Sequence, residues 1–202
     1  MWKCANCSHL EVGPSKPAKC SICGADSEKL IPYQIPGIQG EKTPKNLTAG
    51  FIAESQASVR NRAFAMMADK EGFHQMAKLF RAVAESESVH AFNHLQLMGA
   101  VSDTQTNLES AFERENLAAG AYPQLIRDAT QEGNEDTVRI FGFVRDVEKE
   151  HAKLYSKALA HMTAEAQTDY YVCTVCGHIS DGELPENCPI CGAPASKFRK
   201  VA

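Results

Sequence analysis

One triad of side chains occurs twice in this chain at a constant offset. Glu54, Glu87 and His90 recur further along as Glu115, Glu148 and His151, with both internal spacings preserved. The interval from the first Glu to the second is the same in each set, and the second Glu of each opens a Glu-x-x-His pair. On a helix the i,i+3 offset puts both groups of such a pair on one face. Two helices that each carry a Glu, and two that each carry Glu and His, are what a four-helix bundle needs to hold two metal ions in its core. Carboxylate oxygen and imidazole nitrogen suit iron or manganese better than a metal that prefers thiolates.

The repeat reaches beyond the triads. At the same offset Gly72 matches Gly133, Leu79 matches Ile140, Phe80 matches Phe141 and Val83 matches Val144, and Phe51 precedes Glu54 as Phe112 precedes Glu115. A duplicated helix pair about a pseudo-twofold axis is the expected arrangement. A lone Glu-x-x-His is weak evidence, because helices carry many solvated Glu. Two of them, each at the same distance behind a further Glu that follows an apolar stretch, are poorly explained by chance.

All eight cysteines fall in two clusters, Cys4-x2-Cys7-x12-Cys20-x2-Cys23 and Cys173-x2-Cys176-x11-Cys188-x2-Cys191. Paired C-x-x-C knuckles at that separation predict a tetrahedral four-thiolate site for zinc or a single iron, and spacing leaves both metals open. The clusters resemble each other, Cys20-Ser-Ile-Cys-Gly-Ala against Cys188-Pro-Ile-Cys-Gly-Ala, each with an aromatic two residues ahead of its first Cys, Trp2 and Tyr171. Modules this small bury little core, so metal binding, worth on the order of 10 kcal/mol, supplies much of their folding energy. A disulfide framework is disfavoured, since no secretory leader is recognisable and the knuckle spacing is metal geometry.

The remaining composition narrows the class. A net charge of −4 without a lysine- or arginine-rich run argues against nucleic acid or an anionic membrane as the main partner. No apolar run approaches the roughly 18 residues of a membrane-spanning helix. Reduced thiols lead us to expect a cytoplasmic protein. The expected layout is a Cys4 module over 1–35, a linker over 36–45 punctuated by Pro36, Gly37 and Gly40, a helical bundle over 46–165 and a second Cys4 module over 166–202. Turn residues such as Gly13-Pro14 and Pro17 fill the first module.

The first helix is expected to start between Thr43 and Thr48 and to end near Lys70. The second carries Phe73, Met76, Leu79, Phe80, Val83, Glu87 and His90 at helical spacing and closes at Gly99. Thr106-Asn-Leu-Glu109 reads as a capping box for the third, with Ser102 or Asp103 as earlier alternatives. Gly133-Asn134 separates the third from the fourth, which runs to about Met162. Pro123 lacks an amide donor and is expected to kink or loosen the third helix. Met66, Met67 and Met76 read as packing residues. His94 reads as a neighbour of the metal site or a surface residue, His74 and His161 as exposed, and Glu85, Glu113 and Glu150 as solvated.

By this reading Glu54 and Glu115 are terminal carboxylates, Glu87 and Glu148 bridge the two ions, and His90 and His151 supply nitrogen. Buried carboxylates without cations would be prohibitive, and two divalent ions offset that charge. Six ligands for two ions leave open positions, which a catalytic site needs.

The chain resembles the rubrerythrins, non-haem di-iron peroxidases of the ferritin-like class. The resemblance is carried by Phe51-Ile-Ala-Glu-Ser-Gln-Ala, Glu87-Ser-Val-His, Asn107-Leu with Glu115-Asn, and Glu148-Lys-Glu-His-Ala-Lys-Leu-Tyr155. The fold it implies is a ferritin-like four-helix bundle flanked by two rubredoxin-like Cys4 modules, where most family members carry one. It implies reduction of hydrogen peroxide to water, a di-iron centre plus one mononuclear iron per Cys4 site, and electrons from NAD(P)H through a reductase or a rubredoxin. It also implies a homodimer in which the thiolate iron of one subunit serves the di-iron site of the other. Departures are visible. Where the family often has a further Glu three residues after Glu115 this chain has Ala118, and where it often has a Tyr seven residues after Glu54 it has Asn61. From Glu115 to Tyr122-Pro123 the chain is one residue shorter than the family pattern. Tyr122 matches the family's other site tyrosine. Two other readings stay open: a ferroxidase or oxygen-reducing oxidase, and a zinc-ribbon interaction protein on a helical scaffold.

Overall fold

The computed structural model describes residues 1–6, 10–11, 15–40, 42–161 and 167–202. Cys7, the Gly13-Pro14 turn, Met162 and the expected boundary between 165 and 166 lie outside the described residues. The chain divides into two compact units, one built around the first two long helices and the other around the last two.

In the first unit, β1 (Trp2–Cys4) is flanked by β2 (Leu10–Glu11) and β3 (Leu30–Pro32), both antiparallel to it. α1 (Lys42–Lys70) and α2 (His74–Leu97) follow and pack along each other as a hairpin. The turn between them takes only residues 71–73, and Gly72 meets its geometry at φ 84°, a conformation that costs other residues a Cβ clash. Alanines make the seam: Ala65, Ala68 and Ala77 are buried together under Phe80, and Ala84 and Ala91 are buried further along α2. Ser58 crosses the seam, its hydroxyl donating to the Ala84 carbonyl at 3.0 Å and pairing with Ser88 at 2.8 Å. Phe64 and Phe80 close one end edge to face, 5.6 Å apart.

An alanine seam explains a departure from expectation. Met66, Met67 and Met76 do not pack in this core; they are about half exposed or more, Met66 at 75%. Met66 and Met67 lie on other faces of α1 than Ala65 and Ala68, which the 100° step between residues requires. The small β-module is anchored through its last residues and the start of the expected linker. Ile35 is fully buried with Leu47 and Met98, and Tyr33, Ile38, Phe51 and Leu95 pack around them, while the Tyr33 hydroxyl donates to the Met98 carbonyl at 3.2 Å.

In the second unit, α3 (Thr104–Gln131) and α4 (Glu135–His161) form the corresponding hairpin. Gly133, the repeat partner of Gly72, turns the chain at φ 75° within an equally short connection, 132–134. α3 starts at the earlier alternative. Asp103 is its N-cap, accepting from the Thr106 amide at 2.9 Å and the Thr106 hydroxyl at 2.8 Å, so Thr106 is a partner of the cap and not the cap itself. α3 runs on unbroken through Pro123. β4 (Tyr170–Cys173) is then flanked antiparallel by β5 (Ile179–Asp181) and β6 (Phe198–Lys200), the same order as in the first sheet. Among the described residues no helix is long and apolar enough to cross a membrane.

The seam gives a stability prediction. Ala77 is 0% exposed, so Ala77→Leu inserts volume the hairpin cannot take and should destabilise the protein by about 1–3 kcal/mol. Urea unfolding followed by circular dichroism reads this as a lowered midpoint at constant slope.

Candidate metal centre

Each hairpin gathers one of the two triads. Glu54 on α1 meets Glu87 and His90 on α2, and Glu115 on α3 meets Glu148 and His151 on α4, each set with its ligand atoms within 4.8 Å of one another. The i,i+3 pairs lie together as their spacing requires. His90 Nδ1 lies 2.9 Å from Glu87 Oε2, and His151 Nδ1 lies 3.1 Å from Glu148 Oε2 and 3.9 Å from Glu115 Oε2. The triads differ in surroundings. The His90 side chain is 53% exposed, whereas those of Glu115, Glu148 and His151 are each near 20%.

Burial makes the second triad electrostatically tense. Loss of water pushes the Glu115 carboxyl up from 4.5 to about 8, and the adjoining Glu148 adds to the shift through a hydrogen bond and its charge. Two carboxyls side by side out of water share a proton unless a cation takes its place. His151 Nε2 is buried without a hydrogen-bond partner, which frees that nitrogen to donate to a metal. The donor set, the missing partner and the carboxyl pair all fit a divalent iron.

Two tyrosines line this triad. Burial raises the Tyr155 phenol, and the charges of Glu115 and Glu148 raise it further; burial and Glu148 do the same to Tyr122. Both therefore stay protonated at neutral pH and can donate. Tyr122 also packs edge on to Phe141 at 5.7 Å. Tyr155 shares the wall of a cleft of about 470 Å³ with Glu115 and His151, and Leu108, Leu154 and Ile179 make that wall largely apolar. Sequence reasoning gave Tyr155 no role; its place four residues after His151, one turn along the same face, was the available signal. Asn61 turns inward to its own helix, donating to the Ala57 carbonyl at 2.9 Å, so α1 offers no phenol at that position.

The other candidates fall as follows. His94 is half-buried, its ring pressed against Gly50 and its Nδ1 buried without a partner. His74 is exposed and bonded to Asp69, and His161 is exposed. Glu85 is solvated, while Glu113 and Glu150 are half-buried, Glu150 paired to Lys153.

The thiolate clusters assemble at the chain ends. Cys173, Cys176, Cys188 and Cys191 place their sulfurs within 4.8 Å of one another, with Cys173–Cys191 at 3.7 Å and Cys176–Cys188 at 3.6 Å. Metal–sulfur bonds of about 2.3 Å set tetrahedron edges of roughly 3.8 Å, so these separations suit a four-thiolate metal and are far too long for a disulfide. Cys4, Cys20 and Cys23 converge in the same way, while their fourth partner, Cys7, lies outside the described residues. His178, to which sequence reasoning gave no role, is 8% exposed next to the C-terminal knuckle and stacks edge on to Phe198.

Carboxylate–imidazole sets on four long helices are the signature of the ferritin-like iron proteins, and this fold falls in that class, with rubredoxin-like modules at both ends. Comparison with known proteins agrees. Residues 45–159 match the rubrerythrin family model, and 2–30 and 171–199 each match the rubrerythrin rubredoxin-like domain. Nigerythrin of Nitratidesulfovibrio vulgaris is 33% identical over 174 residues, which span 77% of this chain and 85% of that protein. Rubrerythrin of Porphyromonas gingivalis is 32% identical over 184 residues, 81% of this chain and 92% of the relative. A nigerythrin structure in its mixed-valence state aligns with a TM-score of 0.49 at 28% identity, covering 95% of this chain and all of the other. The chain therefore belongs to the rubrerythrin family, a family of di-iron oxidoreductases whose cofactor is iron in a carboxylate site and in rubredoxin-like thiolate sites.

The raised carboxyl sets a pH dependence. In the metal-free protein the folded state keeps the Glu115 proton up to about pH 8, whereas the unfolded chain releases it near 4.5. Its contribution to stability should thus be full below 4.5 and should fall as pH rises toward 8. Metal binding should displace the proton, so uptake of ferrous iron or zinc at neutral pH should acidify a weakly buffered solution and tighten with rising pH. With the thiolate sites loaded beforehand, calorimetry in buffers of different ionisation enthalpy counts the protons released, and Glu115→Gln should lower that count by one.

Proposed function

We propose that this protein is a non-haem di-iron peroxidase that reduces hydrogen peroxide to water with electrons relayed through rubredoxin-type iron–thiolate sites. The observation that carries this reading is the pairing of two carboxylate–histidine triads with two four-cysteine modules in one chain. Storage of iron alone gives no use for the thiolates, and a zinc-ribbon scaffold gives none for the triads.

Glu54, Glu87 and His90 on one hairpin and Glu115, Glu148 and His151 on the other would hold the iron through carboxylate oxygen and imidazole nitrogen. Bound ferrous iron supplies two electrons together, enough to cleave an O–O bond without releasing a radical. The chain's own residues do the rest. The apolar cleft beside Glu115 and His151 admits a small oxidant and keeps bulk water sparse. Tyr155, protonated and on the cleft wall, can hand a proton to a leaving oxygen and recover it from solvent. The four cysteines of each module would hold a single iron, a one-electron carrier suited to re-reducing the carboxylate site stepwise. A rubredoxin or an NAD(P)H-dependent reductase is the proposed external donor, and a cytoplasmic homodimer the proposed form.

Stopped-flow mixing of the reduced, iron-loaded protein with hydrogen peroxide and, separately, with oxygen tests the assignment. Thiolate–iron colour should return fast with peroxide and slowly with oxygen; the reverse order would make the protein an oxidase or ferroxidase. Glu148→Ala should abolish turnover and leave the colour intact. Tyr155→Phe should retain its iron yet lose roughly 100-fold in peroxide turnover, and an unchanged rate would remove the phenol from proton delivery.

A further inference from the structure

The cleft beside the second triad is far larger than hydrogen peroxide. At about 470 Å³ it lies in the range of roughly 300–1,000 Å³ in which proteins hold organic ligands, whereas a water molecule's share of liquid volume is about 30 Å³. The cleft also has a direction. On α4 its wall runs from His151 through Tyr155 to Ala158, and on α3 from Glu115 to Leu108, each about 10 Å of helix. The helices are antiparallel, so Leu108 and Ala158 stand together at the end away from the triad. Val172 of β4 and its cross-strand partner Ile179 of β5, both half-buried, line the facing side. At one end of this strand pair His178 is buried within reach of the charges of Glu150 and His151. At the other end the Asp181 carboxylate pairs with Lys157 of α4 and accepts from Thr168 at 2.7 Å. The sheet therefore follows α4 outward from the ligand level. Tyr170 and Val201, joined by the Val201 amide donating to the Tyr170 carbonyl at 2.9 Å, are 40% and 46% exposed and form the mouth. Among the described residues that line the cleft there is no Lys or Arg, and its carboxyl and imidazole groups, Glu115 and His151, both stand at the triad end. A charged chain would find no counter-charge along this wall, whereas a neutral one would meet apolar carbon over its length.

We infer that the cleft seats an alkyl chain and that the substrates of this site include neutral aliphatic hydroperoxides. The hydroperoxyl group lies at Glu115, His151 and Tyr155, and the chain runs past Leu108, Ala158, Val172 and Ile179 toward the mouth. The chemistry rests on the peroxidase reading of this same site. The O–O bond breaks with uptake of two electrons from ferrous iron held by the carboxylates. The outer oxygen leaves as water, and the inner one stays on carbon as an alcohol. Two protons complete the balance, one from the Tyr155 phenol, which recovers it from solvent, and one from solvent directly. The oxidised iron is reduced again by the external one-electron donor proposed above.

Binding of the product alcohols tests the seat without recourse to turnover. Zinc-loaded wild-type protein, titrated with the primary alcohols butanol, hexanol and octanol and followed by NMR, should bind them about fourfold more tightly for each added methylene group. An affinity independent of chain length would overturn the inference. Ala158→Phe puts a ring into the outer half of the cleft. In the iron-loaded protein it should lower kcat/KM at least about tenfold more for octyl hydroperoxide than for hydrogen peroxide, and an equal effect on both would count against the seat. Zinc content and circular dichroism check that the variant folds, and the wild-type alcohol series stands whether or not it does. A wild-type protein that binds the alcohols in this order yet reduces neither peroxide would refute the peroxidase reading and leave the alkyl seat intact. One that reduces hydrogen peroxide and ignores octyl hydroperoxide would overturn the inference alone.

Discussion

The second unit is organised around a repulsion. Glu115 and Glu148 stand side by side with most of their surface out of water, and the cost is visible in the Glu115 carboxyl, pushed up to about 8. A chain gains nothing in stability from such a pair, since two apolar side chains of similar size would pack better. The pair makes sense only if a cation replaces the shared proton. His151, held at Nδ1 by Glu148 and unpartnered at Nε2, is the complementary half of that arrangement. On the proposed reading the folded chain is a preorganised ligand set whose repulsion a metal would relieve.

That set needs rigid carriers, and the hairpins provide them by economical means. Three-residue turns with left-handed glycines at equivalent positions fix the register of each helix pair. Alanines along the α1–α2 seam then let the backbones approach closely, and the buried Ser58 hydroxyl locks the register through the Ala84 carbonyl and Ser88. A helix register fixed to a fraction of a turn is what brings Glu54 level with Glu87, and Glu115 level with Glu148, although each pair is separated by a full hairpin turn of the chain. The Cys4 modules solve the opposite problem. Their three-stranded sheets are too small to be stable alone, so sulfur–metal bonds and anchoring on a hairpin, through Ile35 in one case and Asp181 in the other, substitute for a core.

Much of this was legible in the residues because it depends on spacing. Glu-x-x-His must share a helical face, C-x-x-C pairs must converge, and Gly72 and Gly133 mark where helices stop. What depends on contacts made far along the chain was not legible. Met66, Met67 and Met76 look like core by composition, yet the seam is chosen by the alanines beside them. Thr106 and Asp103 were both credible caps, and only the positions of the bonds decide for Asp103. Tyr155 carries a weak signal in its helical spacing from His151. His178 carries none, because its neighbours on α4 are brought to it by tertiary seating.

Equal residue patterns also did not produce equal sites. His90 and His151 occupy matching places in the repeat, but one is 53% and the other 20% exposed. The second triad has Tyr122, Tyr155 and an apolar cleft beside it, while Asn61 on α1 bonds its own backbone and brings no phenol. Desolvation is a property of neighbours and not of ligands, so the duplicated halves need not share an affinity or a proton inventory. At one position the halves do agree: Ala57 and Ala118 each stand three residues after the first Glu of their triad, so neither triad gains a further carboxylate there.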